Sequence, residues 1–162
     1  MKTIKITLAS DEGAAIVGCA DMLDDAPTIE LVASLTDLTS RGAWLALARS
    51  EVLLIDEALV LRDGFEPLNM LLSSYPEVHC LLVLGDTCKH KTMWALMQGV
   101  RGVLTIGEIQ PLLLKAIAKV MAGEIWAPRH LMHPIRQGLR QIEDGSYIYQ
   151  QPDRIKEWVK WH

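Results

Sequence analysis

The stretch EVLLIDEALV, residues 51–60, decides the fold. Its run of four apolar residues, Val52 to Ile55, reads as a buried strand, because a strand covered on both faces shows no polar alternation. The run ends directly in Asp56. A carboxylate at the exit of a buried strand must face solvent, a cation or a partner, since an unpaired charge in an apolar interior is costly. Asp56 is therefore the first residue to question.

Outward from this strand, short apolar runs alternate with longer amphipathic ones. TIKITLA (3–9), TIELVASL (28–35), VHCLLVL (78–84) and GVLTI (102–106) are predicted strands. The predicted helices cover 11–25, with Ile16, Cys19, Ala20 and Leu23 on one face; 36–49, with Thr36 as cap; 64–75, with Pro67 in its first turn; 90–99; and 109–123. The last two end at Gly99 and Gly123, residues suited to helix termination. Five strands, each followed by a helix, imply a parallel sheet with helices on both faces. In such sheets ligands bind beyond the carboxyl ends of the strands. The residues there are Ser10, Asp11 and Glu12, then Asp56, then Gly85 and Asp86, then Ile106.

Composition excludes several classes. A chain of 162 residues suits one domain with a single core. No apolar run approaches the roughly 18 residues of a membrane helix. Lys5 interrupts the start MKTIKITLAS, so no signal peptide is expected. Three scattered cysteines, Cys19, Cys80 and Cys88, lack metal or redox spacing and suit a reducing cytoplasm. A net charge of −4 gives no support for nucleic-acid binding by this chain alone. No phosphate-binding loop or nucleophile elbow occurs, so no enzyme is expected. His79 reads as a half-buried strand histidine, and His130 with His133 as a surface pair without a third ligand.

Three motifs stand in register: Asp56 followed eight residues on by Gly64 after Asp63, ALMQGVRGVL (95–104), and LLKAIAKVMAGEIW (113–126). With the element order, they resemble a response-regulator receiver domain (CheY-like), of the subgroup found in LuxR/NarL-type regulators, over residues 3–126. The resemblance implies a flavodoxin-like α/β fold with strand order 2-1-3-4-5, the first and fifth predicted helices on one face and the others opposite. It also implies a site: two acids after strand one and the acceptor Asp hold Mg²⁺, a hard cation that takes oxygen ligands. The acceptor attacks phosphorus, a Ser or Thr after strand four bonds the phosphoryl group, a Lys after strand five balances its charge, and an aromatic in strand five follows the switch.

Measured against that pattern, Asp56 is the phosphoacceptor-like residue, and Asp11, Glu12 and Asp56 form an acidic pocket. The first acid falls on Ser10, the Ser/Thr on Gly85, the aromatic on Val103 and the Lys on Ile106. A hydrocarbon at 106 cannot balance a phosphoryl charge of about −2. The expectation is a degenerate receiver that signals through protein contacts, with no cofactor beyond a weak Mg²⁺ site at Asp11 and Asp56. The alternative is a phosphorylatable receiver of a LuxR/NarL-type transcription regulator whose DNA-binding domain lies outside this chain; no LT.RE.EVL-type start is present.

Residues 127–162 form a separate extension, with six Lys/Arg against four acids from 129 onward. Pro134 and Gly138 predict a short or broken helix there. Ile155, Trp158, Val159 and Trp161 form an apolar cluster too small to make its own core. Met93, Trp94, Met97, Trp126 and these tail aromatics point to a homodimer through the fourth predicted helix, the fifth strand and the fifth predicted helix. A histidine kinase or another signalling protein is the expected further partner.

Overall fold

The computed structural model describes residues 2–11, 16 and 18–143. Strands β1 (Ile4–Ala9), β2 (Ile29–Leu35), β3 (Val52–Asp56), β4 (His79–Leu84) and β5 (Gly102–Thr105) form one sheet in the order β2-β1-β3-β4-β5. Every pairing is parallel. Helices α1 (Cys19–Asp24), α2 (Arg41–Ala48), α3 (Glu57–Asp63), α4 (Glu66–Ser74), α5 (Lys89–Met97), α6 (Ile109–Met121) and α7 (Arg129–Glu143) flank it.

The alternation of side chains along each strand sorts the core into two layers. Leu53, Ile55, Leu82 and Leu84 point to a layer filled by Leu47 of α2, Leu59 and Val60 of α3, Leu68 and Leu71 of α4, and Trp94 of α5. Ile6, Leu8, Val52, Leu54, Leu81 and Leu104 meet Leu23 of α1 and Leu113, Ile117 and Val120 of α6 on the other side. β3 is buried along its whole length, as its unbroken apolar run requires. The predicted sheet order and the division of helices between faces are both observed.

Five local expectations are corrected. Residues 57–63 form α3, a helix absent from the sequence reading; it begins at once after β3 because Asp56 caps it, and Gly64 (φ 84°) ends it. The cap of α2 is Ser40, whose Oγ accepts from the Ala43 amide at 3.2 Å, and not Thr36. Asp37 holds the turn before it by accepting from the amides of Thr39 (3.1 Å) and Ser40 (2.8 Å). Those amides hold the Asp37 carboxyl below its ordinary pKa, the Ser40 bond most of all. Ile106, expected to end β5, opens a 3-10 turn, Ile106–Glu108, that leads into α6.

The fourth correction concerns the extension. α7 runs unbroken for 15 residues through Pro134. The carbonyl that Pro134 leaves unpaired belongs to His130, an exposed residue, so water can satisfy it. Gly138 marks a close approach, since a Cβ there would sit 2.3 Å from Met93 Cε on α5. Leu131 and Ile135 of α7 pack with Leu96 of α5, bordered by Met93, Ile125 and Ala127. Trp94, expected on a pairing surface, is instead 8% exposed and stacks edge-on against Phe65 at 4.1 Å. Trp126 lies half-buried along β5, its carbonyl accepting from Val103 N–H at 2.9 Å and its N–H donating to the Arg101 carbonyl at 3.1 Å. It thus covers the open edge of the sheet. The tail residues Ile155, Trp158, Val159 and Trp161 lie outside the described residues.

Gly102 is the tightest point of this edge. A Cβ there would lie 2.4 Å from Leu81 Cδ2, 3.0 Å from Trp126 Cβ and 3.3 Å from Val120 Cγ1, and Leu81 and Val120 are fully buried. Gly102→Ala should therefore destabilise the fold by about 1–3 kcal/mol. Urea unfolding reads this as a lower midpoint with an unchanged slope; an unchanged midpoint would show that the edge yields freely.

Candidate functional site

The carboxyl ends of the strands converge on Asp56, which is 5% exposed. Its Oδ1 accepts from the Leu59 amide at 2.9 Å, the N-cap bond of α3. Its Oδ2 accepts from the Ser10 hydroxyl at 3.0 Å, and the same hydroxyl lies 3.1 Å from the Asp11 carbonyl. The buried carboxylate thus has a donor on each oxygen. β3 and α3 are joined without a loop, and Asp56 is the hinge between them.

α3 then carries two further side chains to opposite flanks. Glu57 reaches toward β4 and α5: Oε1 accepts from the Gly85 amide at 3.3 Å and Oε2 pairs with Lys91 Nζ at 2.5 Å. Both partners of that ion pair keep only 15% of their side-chain exposure. Arg62 reaches toward β1 and β2: Nη1 donates to Asp11 Oδ1 at 2.6 Å, Nη2 to the Thr36 carbonyl, and Nε and Nη2 to the two oxygens of Asp63 at 2.9 and 3.2 Å. The bond to Asp63, with the charges of Asp63 and Asp11, raises the guanidinium pKa above its already high ordinary value.

Between these groups lies a pocket of roughly 180 Å³ lined by Ile16, Leu61, Val83 and Ile106 beside Asp56 and Gly85. It is smaller than the roughly 300–1,000 Å³ typical of ligand sites, and its wall is mostly apolar. Ile106 is 44% exposed at its rim, where the resemblance would place an ammonium group. Val103, at the aromatic switch position, is buried in the core layer with Trp94. Gly85 lends only its amide.

Among the described residues, the oxygens that a magnesium ion would use already have partners. Mg²⁺ wants carboxylate oxygens in octahedral array. Here Asp56 is engaged by Leu59 and Ser10, and Asp11 by the guanidinium of Arg62. Among the described residues no group of three or more His, Cys, Asp or Glu side chains stands ready to hold a metal. Glu12 lies outside the described residues. The structure brings together Ser10, Asp11, Asp56, Gly85 and Ile106 as expected, and adds Glu57, Arg62 and Lys91. The start of α3 had a sequence signal: Asp56 as N-cap before the strong helix formers Glu57, Ala58 and Leu59. The ion pairs had none.

Elsewhere, His130 and His133 are exposed on α7, and His79 is half-buried in β4. All three cysteines are free and buried. Burial pushes the Cys80 thiol up to about 12, which makes it inert as a nucleophile. Among the described residues no helix is long and apolar enough to cross a membrane.

No protein-family model matches the chain. Among curated proteins it is 26% identical over 121 residues to the DNA-binding transcriptional activator DevR/DosR of Mycobacterium tuberculosis, covering 74% of this chain and 55% of that protein. The chain thus spans about half the length of the curated relative it matches. Among solved structures it superposes on the isolated receiver domain of RcsB from Salmonella enterica serovar Typhimurium in its apo form, with TM-score 0.70 and 16% identity over 83% of this chain and 99% of that one. A LuxR-family two-component response regulator from Aurantimonas sp. SI85-9A1 matches with TM-score 0.70 and 18% identity, covering 85% of this chain and 98% of that one. The receiver domain of the NarL response regulator of Mycobacterium tuberculosis matches with TM-score 0.65 and 19% identity, covering 76% and 100%. With a 2-1-3-4-5 parallel sheet and an aspartate closing β3, the chain has the receiver-domain fold and is similar to the receiver domains of LuxR/NarL-type response regulators.

Proposed function

We propose that this domain is a degenerate receiver, a non-enzymatic cytoplasmic signalling module that acts through protein contacts without conventional phosphorylation of Asp56. The observation that carries the reading is the double engagement of a 5%-exposed Asp56 carboxylate. To attack phosphorus, an aspartate needs an oxygen lone pair facing the substrate and cations to offset the incoming charge of about −2. Here one oxygen caps α3 and the other takes the Ser10 hydroxyl. Around them stand Ile106 and the carboxylate of Glu57, while Lys91 is held by Glu57 and Arg62 by Asp11 and Asp63. Similarity to a named transcriptional activator supports an output in transcription regulation. The partner is a histidine kinase or another signalling protein.

The domain also pairs, on this reading, as a homodimer through the layer of α5, β5, α6 and α7. Leu114 on α6 is 45% exposed and offers an apolar contact there, while Trp94 and Trp126 support the layer from within. Sedimentation of the full chain at high micromolar concentration should give a dimer with no phosphoryl donor added. A monomer at that concentration refutes the pairing.

Incubation with acetyl phosphate and Mg²⁺, followed by intact-mass measurement, should give no stoichiometric adduct. A stable adduct abolished by Asp56→Asn overturns the reading in favour of a phosphorylatable receiver. The capping role is tested in parallel. Asp56→Ala should lower stability by about 1–2 kcal/mol, whereas Asn, an equally good N-cap, should stay within roughly 0.5 kcal/mol of wild type.

A further inference from the structure

Arg62 binds more than one acid. Its acceptors are Asp11, just after β1; the Thr36 carbonyl, just after β2; and Asp63, in its own helix turn. One guanidinium therefore ties two strand-end loops to α3. It also sets a fixed positive charge against Asp11, the one residue of the expected metal pair that is still an acid after β1.

We propose that Arg62 is the resident cation of the strand-end site, taking the charge-balancing and loop-tying place of a divalent ion and leaving the domain insensitive to Mg²⁺ and Mn²⁺. This deepens the degenerate-receiver reading and rests on it. A guanidinium stays protonated throughout the accessible pH range, and its planar fork matches carboxylate and carbonyl acceptors. Being covalently tethered, it is present at every metal concentration. A divalent ion approaching Asp11 would meet a like charge a few ångströms away, and the repulsion disfavours its entry. The first acid of the expected pair falls on Ser10, whose hydroxyl is given to Asp56. With Arg62 in place, the loops after β1 and β2 are joined to α3 without any ion from solution.

The test is thermal unfolding of the full chain in EDTA, MgCl₂ and MnCl₂. The wild-type Tm should be the same in all three. Arg62→Gln should lower the Tm in EDTA by roughly 1–2 °C, the small loss expected of an exposed ion pair, and regain part of it in MnCl₂. Arg62→Gln with Asp11→Asn should lose that Mn²⁺ response. Arg62→Lys keeps a charge but lacks the fork; it should unfold earlier than wild type yet remain blind to Mn²⁺, and it carries the test if the glutamine variant does not fold. A wild-type Tm that rises with Mn²⁺, a glutamine variant that ignores it, or a lysine variant that gains it would overturn the assignment. A wild-type Mn²⁺ shift without an acetyl phosphate adduct sinks the role of Arg62 and leaves the degenerate reading standing. An adduct without a Mn²⁺ shift sinks the degenerate reading instead.

Discussion

The carboxylate of Asp56 sets the geometry of the whole strand-end surface. A buried carboxylate needs donors, and it finds the Leu59 amide and the Ser10 hydroxyl. Accepting the amide bond forces the chain to turn into a helix immediately, so α3 sits directly over the end of the central strand. Glu57 and Arg62 are five residues apart on it, about 140° around the helix axis. Their side chains must therefore leave on different flanks. β3 lies between β1 and β4 in the sheet, so one flank is Asp11 and Thr36 and the other is Gly85 and Lys91. A single cap thus places both ion pairs.

The two pairs differ in character. Glu57 and Lys91 retain 15% side-chain exposure each, so their attraction is less screened than that of Arg62, which keeps 41%. The Arg62 contacts serve geometry more than stability, because exposed ion pairs add little to folding. Stability comes from the two apolar layers, where Leu53, Leu54, Leu81 and Leu82 are fully buried on either side of the sheet. Polar groups at the strand ends are arranged on that rigid platform. They determine which chemistry the site admits, and they favour a fixed arrangement over an exchangeable one.

Much of this was legible in the sequence, and the remainder was hidden for definite reasons. The strands announced themselves because a parallel sheet covered on both faces demands unbroken apolar runs, as in Val52–Ile55 and Cys80–Leu84. Asp56, Ser10, Asp11, Gly85 and Ile106 followed from knowing where strands end. α3 escaped because seven residues give fewer than two full helical turns of periodicity, and only Leu59 and Val60 of them are buried. The pairings of Glu57 with Lys91 and Arg62 with Asp11 join residues 34 and 51 positions apart, and no local pattern encodes them. α7 was expected to be broken because Pro134 and Gly138 weaken a helix in isolation; the packing of Leu131 and Ile135 on Leu96 outweighs that cost.

The docking of α7 changes what the α5 side of the domain can offer a partner. Leu96 and Met93 would be an apolar patch on the bare domain, and Leu131 and Ile135 of α7 bury it from within the same chain. Trp94 faces the opposite way, into the core against Phe65. The outward surface on this side is therefore the polar back of α7, with Arg129, His130, His133 and Arg136 exposed. Lys91 lies in the first turn of α5, the helix that also carries Met93 and Leu96, and it is anchored to Glu57 on α3. A chain of direct contacts therefore runs from Asp56 through α3 and α5 to α7. Any partner that displaces α7 must uncover Leu96 and Met93, and an anionic partner surface would meet a face that is basic at neutral pH. Both consequences follow from packing alone and need no phosphoryl group at Asp56.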